Sequence, residues 1–310
     1  MNRFVITLLG RALFAEHLRA ANAIALRAGL EVDCMERISD SIFAPAKGTH
    51  AGCACVRLRV RGEAEIGGMR ASFNALADEL DIDICIEDES TFGRKRRLIV
   101  LDMDSTLIQA EVIDELAKIA GAGEQVSNIT ASAMRGEIDF KQSFTNRLSF
   151  LRGVPEQRAR ELRDAISLTD GAERLISTVK KLGYKTAIVS GGFTFIGEHL
   201  QELLGIDYMF ANELEISDGF VTGRVRGEIV DGRRKAELLQ EIAAKEGISP
   251  EEVVAVGDGA NDLPMLTVAG MGIAFHAKPI VRQSAPFAIS SVGLDGILGL
   301  LDVSDCNVPD

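Results

Sequence analysis

The stretch LIVLDMDSTLIQAEVIDE, residues 98–115, decides how the rest of the chain is read. Four apolar residues, Leu98 to Leu101, run directly into two aspartates, Asp102 and Asp104. A short apolar run of this kind reads as a strand buried on both faces. An unpaired carboxylate at the end of such a strand is expensive to desolvate. The placement therefore calls for a cation and for chemistry supplied by other parts of the chain.

Three further blocks follow the same logic. Ser190, Gly191 and Gly192 come directly after the apolar strand YKTAIVS, Lys235 opens the helix RRKAELLQEIAAKEG, and GDGANDLP, with Asp258, Asn261 and Asp262, follows the strand EVVAVGD. Between them the pattern alternates. GAERLISTVKKLG reads as a helix with Asp170 and Glu173 as a capping box and Gly183 as its stop. TFIGEHLQELLG reads as a helix that Thr194 can cap, and LEISDGFVTGRV as a hairpin turning at Asp218-Gly219. Apolar strands alternating with helices predict an α/β fold with a doubly wound parallel sheet, its ligands gathered at the strands' C-terminal ends. Residues 111–150 read as helical and too polar to belong to that sheet.

Residues 1–88 have a different rhythm, βαββαβ, which predicts a ferredoxin-like unit with two helices on one face of an antiparallel sheet. The boundary falls in the charged, aperiodic segment EDESTFGRKRR, residues 87–97. Two domains are expected, 1–90 and 97–310, the second with a helical cap over about 111–168.

Bulk properties exclude several classes. With 34 basic against 46 acidic residues the formal charge is −12, which opposes broad attraction to nucleic acid or an anionic membrane. The apolar stretch between Arg3 and Arg11 is too short for a signal peptide, and no run reaches membrane-spanning length. Five scattered cysteines, Cys34, Cys53, Cys55, Cys85 and Cys306, do not form a disulfide framework, so the cytoplasm is the expected compartment. Cys53, Cys55 and His50 make at most three ligands on one edge, a poor zinc set; small residues on a second sheet face explain the cysteines.

The polar blocks acquire consistent roles if the ligand is a phosphate monoester. Asp102 can attack phosphorus as a nucleophile, and Asp104, two residues on and facing the same way, can serve as acid and base. Mg²⁺ held by Asp102, Asp258 and either Asp262 or Asn261 would offset the repulsion between carboxylate and phosphate, with Lys235 as a second cation. Ser190 and the Gly191 and Gly192 amides would form a nest for phosphoryl oxygens.

DMDSTLIQAEVIDE, VSGGF and VAVGDGANDLPML resemble the motifs of the haloacid dehalogenase-like superfamily, and within it those of the phosphoserine phosphatase family. The resemblance implies hydrolysis of O-phospho-L-serine, the last step of serine biosynthesis, through an aspartyl phosphate. It implies Asn261 as a phosphate ligand and the main-chain carbonyl of Asp104 as a metal ligand. It also implies a cap in which Glu111 meets the substrate ammonium, Arg147 its carboxylate, and Met134 and Phe140 an apolar wall. The N-terminal unit resembles an ACT domain, which implies a regulatory unit binding L-serine or a surface for homodimer assembly; its turn LLGRALFAEH departs from the Asp-x-Pro-Gly pattern of binding ACT domains. A phosphatase or phosphotransferase acting on another small phosphate such as phosphohomoserine, an amino-acid sensor and a phospho-accepting signalling protein are the alternatives. Asp104 speaks against the last, because an acid/base shortens the life of a phosphoaspartate. His199 and His276 read as structural.

Overall fold

The structure, a computed structural model, describes residues 2–39 and 53–303. His50 and Cys306 lie outside these residues, so the zinc reading and the fifth cysteine do too. In chain order the elements are β1 (Asn2–Gly10), α1 (Ala15–Arg27), β2 (Leu30–Ser39), β3 (Ala54–Gly62), α2 (Ile66–Leu80), β4 (Asp83–Asp88) and β5 (Leu98–Leu101). Four helices follow, α3 (Val112–Ile119), α4 (Gly123–Met134), α5 (Phe140–Ser149) and α6 (Glu156–Glu161), then α7 (Ala172–Lys181), β6 (Lys185–Phe193), α8 (Thr194–Leu204), β7 (Tyr208–Ser217) and β8 (Phe220–Arg226). The chain ends with α9 (Gly232–Glu246), β9 (Val253–Gly257), α10 (Leu263–Val268), β10 (Met271–Phe275), α11 (Pro279–Ser284), β11 (Phe287–Ile289) and α12 (Ile297–Leu300). Residues Met1–Arg97, Asp170–Tyr184 and Ile273–Asp310 group as one compact unit, and Leu98–Thr169 with Lys185–Gly272 as a second. Among the described residues no helix is long and apolar enough to cross a membrane.

In the first unit the βαββαβ order produces a four-stranded antiparallel sheet, β2-β3-β1-β4. Side-chain alternation explains its core: Phe4, Ile6, Leu8, Leu58 and Val60 pack with Met69 and Phe73 of α2 and Ala21 and Ile24 of α1. Cys53, Cys55 and Cys85 are buried. Arg57, which alternation groups with Cys53 and Cys55, is buried as well, because the C-terminal segment receives it. Its guanidinium donates to Asp302 Oδ1 (2.6 Å) and to the Gly299 carbonyl (3.0 Å), over the Phe92 ring (4.4 Å). Asp83 accepts the Ser290 and Ser291 amides (2.7 and 3.1 Å) and the Ser291 hydroxyl (2.7 Å). The Asp170/Glu173 capping box does not form: α7 starts from Gly171 at φ 80° with no side-chain cap, while the Asp170 carbonyl accepts Leu294 N–H. His276 Nε2 lies 2.9 Å from the Val292 carbonyl, in keeping with a structural role.

The second unit carries the parallel strands β5, β6, β7 and β9, while β10 and β11 pair in parallel with each other. β5 lies between β6 and β9, parallel to both over four residues, with β7 parallel to β6 and β8 antiparallel to β7. The hairpin turns at Asp218 and Gly219, both at positive φ (52° and 81°). α9 is capped by Asp231, whose Oδ1 accepts Arg234 N–H at 2.9 Å, and it ends at Gly247. Thr194 is not a cap, because β6 continues to Phe193 and Thr194 is already the first residue of α8. The polar stretch after β5 forms α3, α4 and α5, with Asp139 capping α5 through Gln142 N–H (2.8 Å).

Candidate active site

Strand β5 ends at Leu101, so both aspartates lie just beyond the pleat and a tight turn, not strand alternation, brings them together. The Asp102 N–H continues the ladder to the Val256 carbonyl (2.9 Å), and the Met103 carbonyl then accepts the Leu107 and Ile108 amides, with Ser105 at φ 55°. This coil returns Asp104 toward the start of α3, where its Oδ1 accepts the Val112 amide at 3.3 Å. Glycine at 192 is required: a Cβ there would collide with Asp104 Oδ2 and Met103 Cε. Its N–H, which sequence reading assigned to a phosphate nest, donates to Ser190 Oγ at 2.9 Å.

Lys235 joins the strand ends. It is fully buried and donates to Asp102 Oδ1 (2.8 Å) and Asp262 Oδ1 (2.6 Å). Burial alone would lower its pKa, but the two carboxylates overcome that and raise it, so the ammonium stays charged. Asp102 Oδ1 also accepts Met103 N–H (2.7 Å), which leaves Oδ2 without a donor among the described residues. Asp262 Oδ2 takes the Gly259 amide (2.9 Å). Glycine at 257 is again a matter of close approach, since a Cβ would strike the Asp262 carboxylate. Asn261 is half-buried in the same single turn, Ala260–Asp262.

Asp258, half-buried, accepts a hydrogen bond from the fully buried Thr106 hydroxyl at 3.1 Å. Burial, with Asp102 and Asp262 nearby, pushes its carboxyl up to about 8. The carboxylates of Asp102, Asp258 and Asp262 bring one oxygen each within 4.8 Å of one another. Three hard oxygen donors this close, with a single lysine among them, fit a small divalent cation. Asp104 is raised well above the usual carboxylate range by burial first, then by Glu111 and Asp102.

The cap helices add four of the expected residues. Glu111 precedes α3, opens toward solvent and accepts Ser105 Oγ at 2.9 Å. Arg147, on α5, is half-buried; burial lowers its pKa against the pull of Glu111, Asp114 and Asp104, and its Nε is buried without a partner among the described residues. Asp114 Oδ1 is likewise buried and, among the described residues, unpaired. Phe140 lies over Gly191, where an added Cβ would stand 3.1 Å from its Cζ. It begins an aromatic row, with Phe140 to Phe144, Phe144 to Phe193 and Phe193 to Phe195 at 6.0–6.1 Å between centroids. Met134 ends α4, and its side chain lies outside what the structure describes.

Sequence reading missed Asn212 and Lys141. The first is a buried asparagine of β7 bonded to the Gly191 carbonyl, marked only as the polar end of YMFAN. The second pairs with Asp231, the cap of α9, at 2.9 Å.

Comparison with known proteins agrees with this assembly. Residues 99–267 match the model of the haloacid dehalogenase-like hydrolases. The chain is 49% identical over 240 residues, 77% of its length and 70% of the relative's, to a phosphoserine phosphatase of Archaeoglobus fulgidus. A structure of a probable phosphoserine phosphatase from Vibrio cholerae superposes with TM-score 0.74 at 35% identity, covering 96% of this chain and 86% of that one. A phospho-aspartyl intermediate analogue of a phosphoserine phosphatase superposes with TM-score 0.63 at 45% identity, covering 66% of this chain and 98% of its own. The chain belongs to the haloacid dehalogenase-like hydrolases, alongside the phosphoserine phosphatases it resembles over most of its length.

Proposed function

We propose that the chain hydrolyses O-phospho-L-serine to L-serine and phosphate through an aspartyl phosphate on Asp102, with Mg²⁺ as cofactor. The observation that carries this reading is the pairing of Asp102, its Oδ1 fixed by Lys235 and its Oδ2 without a donor among the described residues, with Asp104, whose carboxyl burial raises well above the usual carboxylate range. Oδ2 attacks phosphorus, the bond from phosphorus to the serine oxygen breaks, and the Asp104 proton passes to that oxygen. The resulting Asp104 carboxylate takes a proton from water, whose oxygen attacks the same phosphorus; the bond from phosphorus to Asp102 Oδ2 breaks, phosphate leaves, and Asp102 is again a carboxylate and Asp104 again protonated. Asp102, Asp258, Asp262 and the Asp104 main-chain carbonyl would hold Mg²⁺, which when bound supplies charge neutralisation for the phosphoryl oxygens. Ser190, Gly191, Lys235 and Asn261 bind the phosphoryl group. Lys235 keeps its positive charge there at every physiological pH.

Above the phosphate, Glu111 pairs with the substrate ammonium and Arg147 forks onto its carboxylate, while Phe140 forms an apolar wall that excludes water. The work is placed in the cytoplasm, and the ACT-like topology of the first unit supports L-serine binding or homodimer assembly, which calorimetry with L-serine and sedimentation would separate. The test of the function is phosphate release from O-phospho-L-serine, with and without Mg²⁺, against phosphohomoserine, phosphothreonine and sugar phosphates. A Mg²⁺-dependent preference for phosphoserine is expected. Activity that is flat across the panel would remove the roles given to Glu111 and Arg147, and none at all would remove the phosphatase.

A further inference from the structure

The pairing of β6 with β7 slips where the phosphate loop begins. Val189 pairs with Phe210 and the next pair is Phe193 with Asn212, so four steps on β6 match two on β7. Ser190, Gly191 and Gly192 therefore leave the ladder, and their backbone groups need other partners. Asn212 meets that need with its side chain. It is 1% exposed, its Nδ2 donates to the Gly191 carbonyl at 2.8 Å, and its Oδ1 accepts the Val230 amide at 2.9 Å. A carbonyl on one side and an N–H on the other fix the orientation of the amide, because only this way round are both satisfied. Val230 directly precedes Asp231, the cap of the helix that carries Lys235. A single buried amide thus ties the loop that would bind phosphate to the root of the helix that delivers its cation.

We propose that Asn212 is a positioning residue for phosphate: it sets the register between Ser190–Gly192 and Lys235 and touches neither the substrate nor the reacting atoms. This inference rests on the phosphatase reading above. Losing the bridge frees the loop to return to the strand ladder, which moves Ser190 and Gly191 away from Lys235 and weakens every ligand through its phosphoryl group alone. The defect is therefore blind to the rest of the substrate, unlike one in the cap.

The experiment measures competitive inhibition by inorganic phosphate, together with KM for O-phospho-L-serine and for 4-nitrophenyl phosphate, in full-length wild type, Asn212→Leu and Asn212→Asp with Mg²⁺ present. Leucine keeps the volume and removes both bonds; aspartate keeps the acceptor for Val230 and loses the donor to Gly191. An inhibition constant does not depend on the fraction of enzyme that is folded, so it separates positioning from simple loss of fold. Both variants are expected to raise the phosphate inhibition constant by about tenfold or more, the loss of one to two buried hydrogen bonds, and to raise the two KM values in parallel. A phosphate constant within twofold of wild type, with activity lost only in proportion to folded protein, would overturn the proposal. If Asn212→Leu does not fold, Asn212→Asp decides by the same constants. A wild type that hydrolyses neither ester would strike the phosphatase reading itself and the role of Asn212 with it.

Discussion

On the sheet of the first unit Arg57, Asp83 and Glu87 are buried, and at the strand ends of the second Asp102, Lys235 and Asp262 are buried. The first group is mostly paired by the chain itself, with Arg57 Nε left over among the described residues. Arg57 ends on Asp302 and Gly299, and Asp83 on Ser290 and Ser291, bonds that span more than 200 residues of sequence. The second group is not. One lysine faces Asp102 and Asp262, with Asp258 and Asp104 beside them, so acidic groups are in excess. Buried charge that closes on itself holds a fold together, whereas buried charge left in excess is arranged for a ligand cation and for proton transfer. The two clusters should therefore fail differently when broken.

The largest effect is expected at Asp102. Asp102→Asn keeps the size of the side chain and should lower kcat on O-phospho-L-serine by about 10⁴-fold or more, with thermal stability changed little because Lys235 keeps Asp262. Steady-state kinetics and a melting curve measure both. A large loss of stability with kcat per folded molecule intact would place this cluster with the structural one.

Glu87 offers the converse. Burial, only partly offset by Arg96, Thr91, Arg57 and Arg70, pushes its carboxyl up to about 7 from an ordinary 4.5. A folded-state pKa above the unfolded one means that its contribution is fully present below pH 4.5 and is lost as pH rises through about 7. The shift corresponds to about 3 kcal/mol. Urea midpoints of wild type and Glu87→Gln between pH 4.5 and 8 should diverge by up to that amount, with wild type losing ground as pH rises. Parallel profiles would show that Glu87 is not held neutral.

Cap residues should act on specificity. Arg147→Ala should raise KM for phosphoserine about 10–100-fold, as expected for a charged hydrogen-bonded pair, and leave 4-nitrophenyl phosphate within about twofold. Equal losses on both substrates would return Arg147 to a structural role. The smallest effect belongs to the exposed pair of Lys141 with Asp231. Lys141→Ala should change kcat/KM by less than about fivefold, and high salt should narrow the difference; a larger, salt-independent loss would make this contact part of the phosphate machinery.

Much of the second unit could be read from the chain because each reactive block ends an apolar strand, and local pattern alone puts such blocks at one edge of a parallel sheet. The position of Lys235 was legible for the same reason, since a helix start next to those strands leaves it few places to go. Asn212 was not legible. Its role comes from a slip in pairing between β6 and β7, and pairing is a property of two segments together. Arg57 was half legible: alternation placed it on the second sheet face, but its burial depends on Asp302, 245 residues away. The capping box expected at Asp170 failed for a similar reason, because the backbone there turns through Gly171 and bonds to Leu294. Thr194 was displaced by three extra residues of strand, Gly191 to Phe193, an error of boundary and not of element.

The most direct test of the account is to quench the enzyme with acid during turnover of O-phospho-L-serine in Mg²⁺ and map the phosphorylated residue by mass spectrometry, with Asp102→Asn as control. Phosphate on Asp102 in wild type, and none on any residue of the variant, is the predicted result. Steady hydrolysis with no phosphorylated aspartate, or with phosphate on another residue, would contradict the claim that the aspartate at the end of β5 is the nucleophile.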